Sequence, residues 1–205
     1  MNADDRNILV WDLPVRLGHW LMVADFALAW ITGEADDWRL AHAVCGSFVL
    51  GIVLFRIPWG LIGSRYARFA DFVRGPAAAW AYLRSLPGPA PIHTTGHNPA
   101  GGYAILALLG LALAAAATGW FAYRELGGEW LEELHEGLAG AMLAVAGIHV
   151  AGVAVGSLVH GENLVRAMVT GRKAGPADGA IPGARPVAAV LMVLVAIAVA
   201  WGLVR

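Results

Sequence analysis

Five stretches of the chain, at 17–33, 40–62, 99–121, 134–158 and 186–204, are long and apolar enough to cross a lipid bilayer, which takes about 20 apolar residues of helix. No other feature constrains the fold as much. Backbone polar groups cannot be left unpaired in lipid, so these segments are expected to be helices. A chain of 205 residues that is 59% hydrophobic and 14% charged also has too little polar surface to cover a soluble core. The expected fold is an all-α membrane protein: a four-helix transmembrane bundle within residues 1–175, then a linker and a fifth, C-terminal transmembrane helix within 176–205. The stretches PGPAP (87–91) and GRKAGPADGAIPGARP (171–186) read as linkers. The aromatic and arginine-rich stretch 68–86 reads as an interfacial helix. The opening MNADDRNILVWDLPVR has no apolar leader core, so no cleavable signal is expected. A single cysteine, Cys45, excludes a disulfide framework, and a net charge of −1 without a basic run argues against a nucleic-acid partner.

Cations set the expected orientation. With the N-terminus in the cytoplasm, eleven of the fourteen Lys and Arg fall on the inner side: Arg6, Arg16, Arg56, Arg65, Arg68, Arg74, Arg84, Arg166, Arg172, Lys173 and Arg185. Only Arg39, Arg124 and Arg205 fall outside. The positive-inside rule therefore predicts a cytoplasmic N-terminus and a periplasmic C-terminus. The outer loops are acidic (Glu34, Asp36, Asp37, Glu125, Glu129, Glu132, Glu133 and Glu136), which suits a positively charged soluble partner.

Four of the seven histidines lie in or at the mouths of spans, where ionisable side chains are functional by default. His19 opens the first span at its inner edge, while His42 and His135 open the second and fourth at their outer edges. His149 follows His135 by 14 residues, about 21 Å deeper at 1.5 Å per residue. Two levels result, His42 and His135 outside and His19 and His149 inside. Fourteen residues at a bundle's 3.5-residue period are about four full turns, so His135 and His149 share a face. Two imidazoles from facing helices, on either side of an iron porphyrin, form a b-type haem site. Structural zinc would need four ligands close together, and neither level supplies a third.

These motifs together, RLGHW (16–20), LAHAVCG (40–46), GHNPAGG (96–102) and the His135/His149 pair, resemble the bacterial cytochrome b561 group, which includes the b-type cytochrome subunits of nickel-iron hydrogenases. The resemblance covers roughly residues 8–173. It implies two haem b groups with bis-histidine ligation, His42 with His135 and His19 with His149, in a bacterial inner membrane. The fifth span and the short outer loops depart from the pattern.

Around the ligands, Arg56 returns to the face of His42 after 14 residues and is a candidate partner for a haem propionate, with Arg16 a weaker one and a snorkelling arginine the alternative. Gly46, one turn after His42, and Gly137 and Gly140 near His135 would let a flat macrocycle approach the backbone, or let helices pack closely. Asn98-Pro99 reads as a helix cap, and the role of His97 stays open between capping and contact with the inner haem or a quinone. Asp25 is mid-span and off the His19 face. His93 and His160 read as solvated loop residues, and Trp11, Trp20, Trp38, Trp59 and Trp130 as interface anchors.

Bis-histidine haem has no open coordination position, which favours electron transfer over oxygen chemistry. The expected function is transmembrane electron transfer between the quinone pool and a periplasmic c-type cytochrome or hydrogenase-like dehydrogenase subunit. The alternatives are a stand-alone quinone reductase working with a small species such as superoxide, or a haem-containing anchor without quinone chemistry.

Overall fold

The computed structural model describes residues 6–205. Residues 1–5, part of the opening segment on which the expectation of no cleavable signal rests, lie outside the described residues. In chain order the elements are β1 (Arg6–Leu9), α1 (Leu13–Thr32), α2 (Arg39–Ile62), α3 (Phe69–Phe72), α4 (Pro76–Ser85), α5 (Pro99–Tyr123), α6 (Glu129–His160), α7 (Leu164–Thr170), β2 (Arg172–Gly175) and α8 (Pro186–Val204).

Each expected span is a helix. By length and apolar composition α2, α5, α6 and α8 can cross a membrane. Helix α1 is as long as α8 but carries Arg16, His19 and Asp25, and it falls outside that set. The outside of the molecule is apolar, with Leu158 83% and Ile62 79% exposed, as a surface facing lipid must be.

Helices α1 and α2 run antiparallel: Gly33 lies beside His42 and Gly18 beside Ile52. Helix α5 returns antiparallel to α2, with Arg39 Nη2 donating to the Tyr123 carbonyl at one end. Helix α6 runs back along α5. Neither α1 nor α2 is among the helices packed closely on α6, so a gap separates them. Midway along this gap Met142 meets Val49, Val53 and Ala112, with Met22 and Phe26 against them. Helix α8 lies against α2 and α1. Gly51 makes this approach possible, since a Cβ there would stand 2.4 Å from the Ala196 Cα. Met192 and Ala196 are consequently sealed against Ile52.

One end of the bundle carries most of the arginines and is closed by structure that the apolar pattern does not predict. β1 pairs antiparallel with β2, Arg6 opposite Gly175 and Leu9 opposite Arg172, so part of the expected 171–186 linker is strand. The Ile181 amide donates to the Leu9 carbonyl, and Tyr66 Oη donates to the Gly179 carbonyl. Asp12 is fully buried here. Its Oδ1 accepts from the Val15 amide, capping α1, and its Oδ2 accepts from Trp59 Nε1 (3.0 Å) and Ser64 Oγ (2.6 Å). Trp11 is not an interface anchor but part of this core, packed with Val10, Tyr66 and Ala67, and Trp59 is spent on Asp12. Trp20, Trp38 and Trp130 do lie exposed.

The expected interfacial helix over 68–86 is two helices, α3 and α4. Pro76 at the first turn of α4 has no amide to continue α3, and it holds Gly75 extended.

His93 and His160 are not independent solvated residues. His93 Nε2 lies 2.7 Å from Glu162 Oε1, and the nearly buried Lys173 Nζ lies 2.9 Å from Glu162 Oε2 and donates to the Thr94 carbonyl. The His160 ring stacks on Tyr82 and meets the His93 ring edge-on. Burial works against the Glu162 carboxylate, but Lys173 and His93 outweigh it and its pKa is lowered. A lowered carboxylate pKa stabilises the fold at pH above the unfolded value and stops doing so as pH falls through the folded one. Glu162→Gln is therefore expected to lower thermal stability at neutral pH by roughly 2 kcal/mol. In melts run across pH, the difference from the parent should vanish in acid, and a deficit that persisted there would show that the charge is not what matters.

Candidate cofactor sites

Two histidine pairs face each other across the gap beside α6. Near the acidic end, His42 of α2 and His135 of α6 bring their ring centroids to 5.7 Å. Near the basic end, His19 of α1 and His149 of α6 bring theirs to 6.5 Å. A metal–imidazole bond is about 2.0 Å and the ring centre stands a little over 1 Å behind the nitrogen, so two imidazoles on one metal place their centroids about 6–6.5 Å apart. Both pairs are at or near this separation.

At the acidic-end pair the rings are oriented by the backbone. His42 Nδ1 lies 2.8 Å from the Ala29 carbonyl, and His135 Nδ1 lies 2.9 Å from the Ala115 carbonyl. An imidazole that donates Nδ1–H to a carbonyl keeps Nε2 as its free lone pair, the arrangement metal-bound histidines use. Gly119 makes room for this ring, since a Cβ there would come within 2.7 Å of His135 Cε1. The basic-end pair lacks such partners, and His19 Nδ1 is buried and unpaired among the described residues.

Two glycines near the His42/His135 pair have open space beside them. Gly46 and Gly140 are half-buried, yet a Cβ at either would meet no atom within 4 Å. Gly137, by contrast, is exposed. Among the described residues no group of three His, Cys, Asp or Glu side chains converges on a metal position. Each level offers two neighbouring imidazoles and, among the described residues, no third ligand, a donor set that suits a metal whose remaining ligands come with it. Haem is such a group, and the residues present fit it.

The arginines lie at the basic end. Arg56 does not snorkel: it is 9% exposed, its Nη2 donates to the Ala67 carbonyl at 2.9 Å, and its guanidinium sits over the Phe69 ring at 5.0 Å. Arg16, one turn before His19, donates through Nη2 to the Val169 carbonyl. Among the described residues Asp25 makes no side-chain hydrogen bond, and it lies within electrostatic range of Cys45 across the α1–α2 seam.

The residues of GHNPAGG have separate roles. Asn98 Oδ1 accepts from the Gly101 amide at 2.7 Å and caps α5, with Pro99 as its first residue. Gly96 and Gly102 allow Tyr66 and the Phe72 backbone to approach, at 2.7 and 2.9 Å from where a Cβ would be. His97 turns inward between Trp11 (ring centroids 4.4 Å) and Phe72 (4.7 Å). Burial, with Arg56 adding to it, pushes its pKa down to about 3, so it is neutral at physiological pH. Sequence reasoning left this side chain unassigned because Asn-Pro accounts for the cap without it.

No curated protein and no solved structure matches the chain. The family model of prokaryotic cytochrome b561 matches residues 10–171, from just before α1 to just before β2. That family implies b-type haem, electron transport and a multi-pass membrane protein. The chain that places these histidine pairs across one gap belongs to the prokaryotic cytochrome b561 family.

Proposed function

We propose that the protein passes electrons across the bilayer through two b haems, one held by His42 and His135 and the other by His19 and His149, between the quinone pool and a periplasmic redox protein. The observation that carries this reading is the double pairing: opposed imidazoles at two heights in one gap, with centroids 5.7 and 6.5 Å apart. Haem iron would supply one-electron chemistry, and two histidines holding it at each level would leave no ligand position for oxygen. The protein orients the acidic-end imidazoles through the Ala29 and Ala115 carbonyls. Between the two levels it fills the gap with Val49, Val53, Met142 and Phe26, which keep water out. Gly46 leaves the macrocycle its room, and Arg56 and Arg16 are the partners for haem carboxylates.

Residues 1–175 act as the dihaem unit, and residues 176–205 support it from outside through α8. The arginine distribution favours a cytoplasmic N-terminus and a periplasmic C-terminus in a bacterial inner membrane. The quinone exchanges electrons near the basic-end haem. The exposed Glu129, Glu132, Glu133 and Glu136 then face the periplasm and suit a cationic c-type cytochrome or a dehydrogenase subunit.

Protein purified from membranes is expected to hold about two haems per chain, with the sharp reduced bands of low-spin b haem. Its haems should exchange electrons with a quinone/quinol couple in at least one direction. One haem per chain, or haem inert to both quinone and quinol, overturns the reading.

A further inference from the structure

Four buried side-chain nitrogens among the described residues have no hydrogen-bond partner: Arg16 Nε, His19 Nδ1, Arg56 Nη1 and His97 Nδ1. All four are at the basic end, around the His19/His149 pair. Buried polar groups are nearly always satisfied, so four orphans in one region indicate a ligand with acceptor atoms.

The charge there identifies its class. No carboxylate among the described residues lies within ion-pair distance of Arg56. Asp12 is within electrostatic range, but its oxygens are already taken by the Val15 amide, Trp59 Nε1 and Ser64 Oγ. A buried guanidinium with no carboxylate in contact and an Nη1–H unpaired among the described residues calls for an acceptor, and an anion serves it better than a neutral quinone carbonyl. Arg56 and His97 are also held as a unit. The short helix α3 sets Phe69 under Arg56 and Phe72 against His97, the two rings meeting edge-on, and His97 is within electrostatic range of Arg56, His19 and His149.

Resting on the two-haem reading above, we propose that His97 is a positioning residue for the basic-end haem: with Arg56 it forms a carboxylate-receiving pocket that takes the propionate edge of that haem. His97 donates through Nδ1–H and Arg56 through Nη1–H. Trp11 and Phe72 lock the His97 ring, so the pocket is formed before the ligand arrives.

The test is an equilibrium redox titration of the haem-loaded protein. His97→Phe keeps the aromatic packing and removes the donor. The carboxylate's charge is then less offset and weighs more on the iron, so the reduced form is disfavoured. The expected result is a fall of about tenfold in the reduced-to-oxidised ratio of one component at fixed ambient potential, a shift of about 59 mV for one electron, with the other component unmoved. His97→Gln, which retains an N–H donor, should recover most of the shift. In a His42→Ala background the shifted component should be the one that remains, and in a His19→Ala background no shift should be seen. Two intact components with neither shifted by His97→Phe would overturn the proposal while leaving the haem assignment standing. So would unchanged potentials with a higher quinol concentration needed for half-maximal reduction, which would give the pocket to quinone. Histidine-to-alanine backgrounds that lose no haem would instead sink the haem assignment itself.

Discussion

On the two-haem reading proposed above, His135→Ala protein is expected to bind one haem per chain where the parent is expected to bind two, and to keep the redox component assigned to His19 and His149. The imidazole removed lies with its ring centroid 5.7 Å from that of His42 and is fixed by its bond to the Ala115 carbonyl. Nothing else on that level can replace it, because no third metal-ligating side chain converges there among the described residues. Changing the surroundings of the ring should cost less. Gly119→Ala pushes a methyl group against His135 Cε1 and displaces the ring without deleting it. Disturbing what orients a metal-bound histidine typically costs 10–100-fold in affinity, so this variant should hold the haem more weakly rather than lose it. Haem-to-protein ratios after purification distinguish the cases. Two tightly held haems in His135→Ala would mean that this histidine is not a ligand.

Asp12→Ala is expected to be the most damaging single change outside the histidines. Three donors, the Val15 amide, Trp59 Nε1 and Ser64 Oγ, converge on a carboxylate with no exposed surface. Each donor stranded in a buried site costs about 1–3 kcal/mol, so the sum is a large part of the roughly 5–15 kcal/mol that holds a typical fold together. In a protein of this size each kcal/mol moves the melting midpoint by about 2–4 °C, and a drop of roughly 10 °C or more should follow. Asp12→Asn keeps one acceptor for the Val15 amide but turns an NH2 toward the other two donors, so it should recover only part of the loss. A melting midpoint for Asp12→Ala within a few degrees of the parent would show that water or a shifted side chain takes over these bonds.

How much of this was legible in the sequence depended on the range of the interaction. The helices could be read because apolar length is a property of one segment. The levels of His19, His42, His135 and His149 could be read because depth follows from rise per residue once each helix has a direction. The Asn98 cap is local for the same reason. The basic end was mostly illegible. β1 and β2 are four residues each with no alternating apolar pattern, and each has its partner at the far side of the bundle in sequence. Trp11 looks like an interfacial tryptophan until Tyr66 and the 177–181 segment are folded over it. His93, His160, Glu162 and Lys173 come from separate segments, and only the closure of that end brings them together.

The pairing of β1 with β2 also settles a question of parity. Two strands that share hydrogen bonds must lie in the same aqueous compartment, so the chain between them crosses the membrane an even number of times. Helices α2, α5 and α6 supply three passages by their composition. The fourth must be α1, whatever Arg16, His19 and Asp25 cost it in hydrophobicity. A chain with any one of the four left uninserted would hold its two strands on opposite sides of the bilayer, and would stay unclasped and open to surveillance proteases.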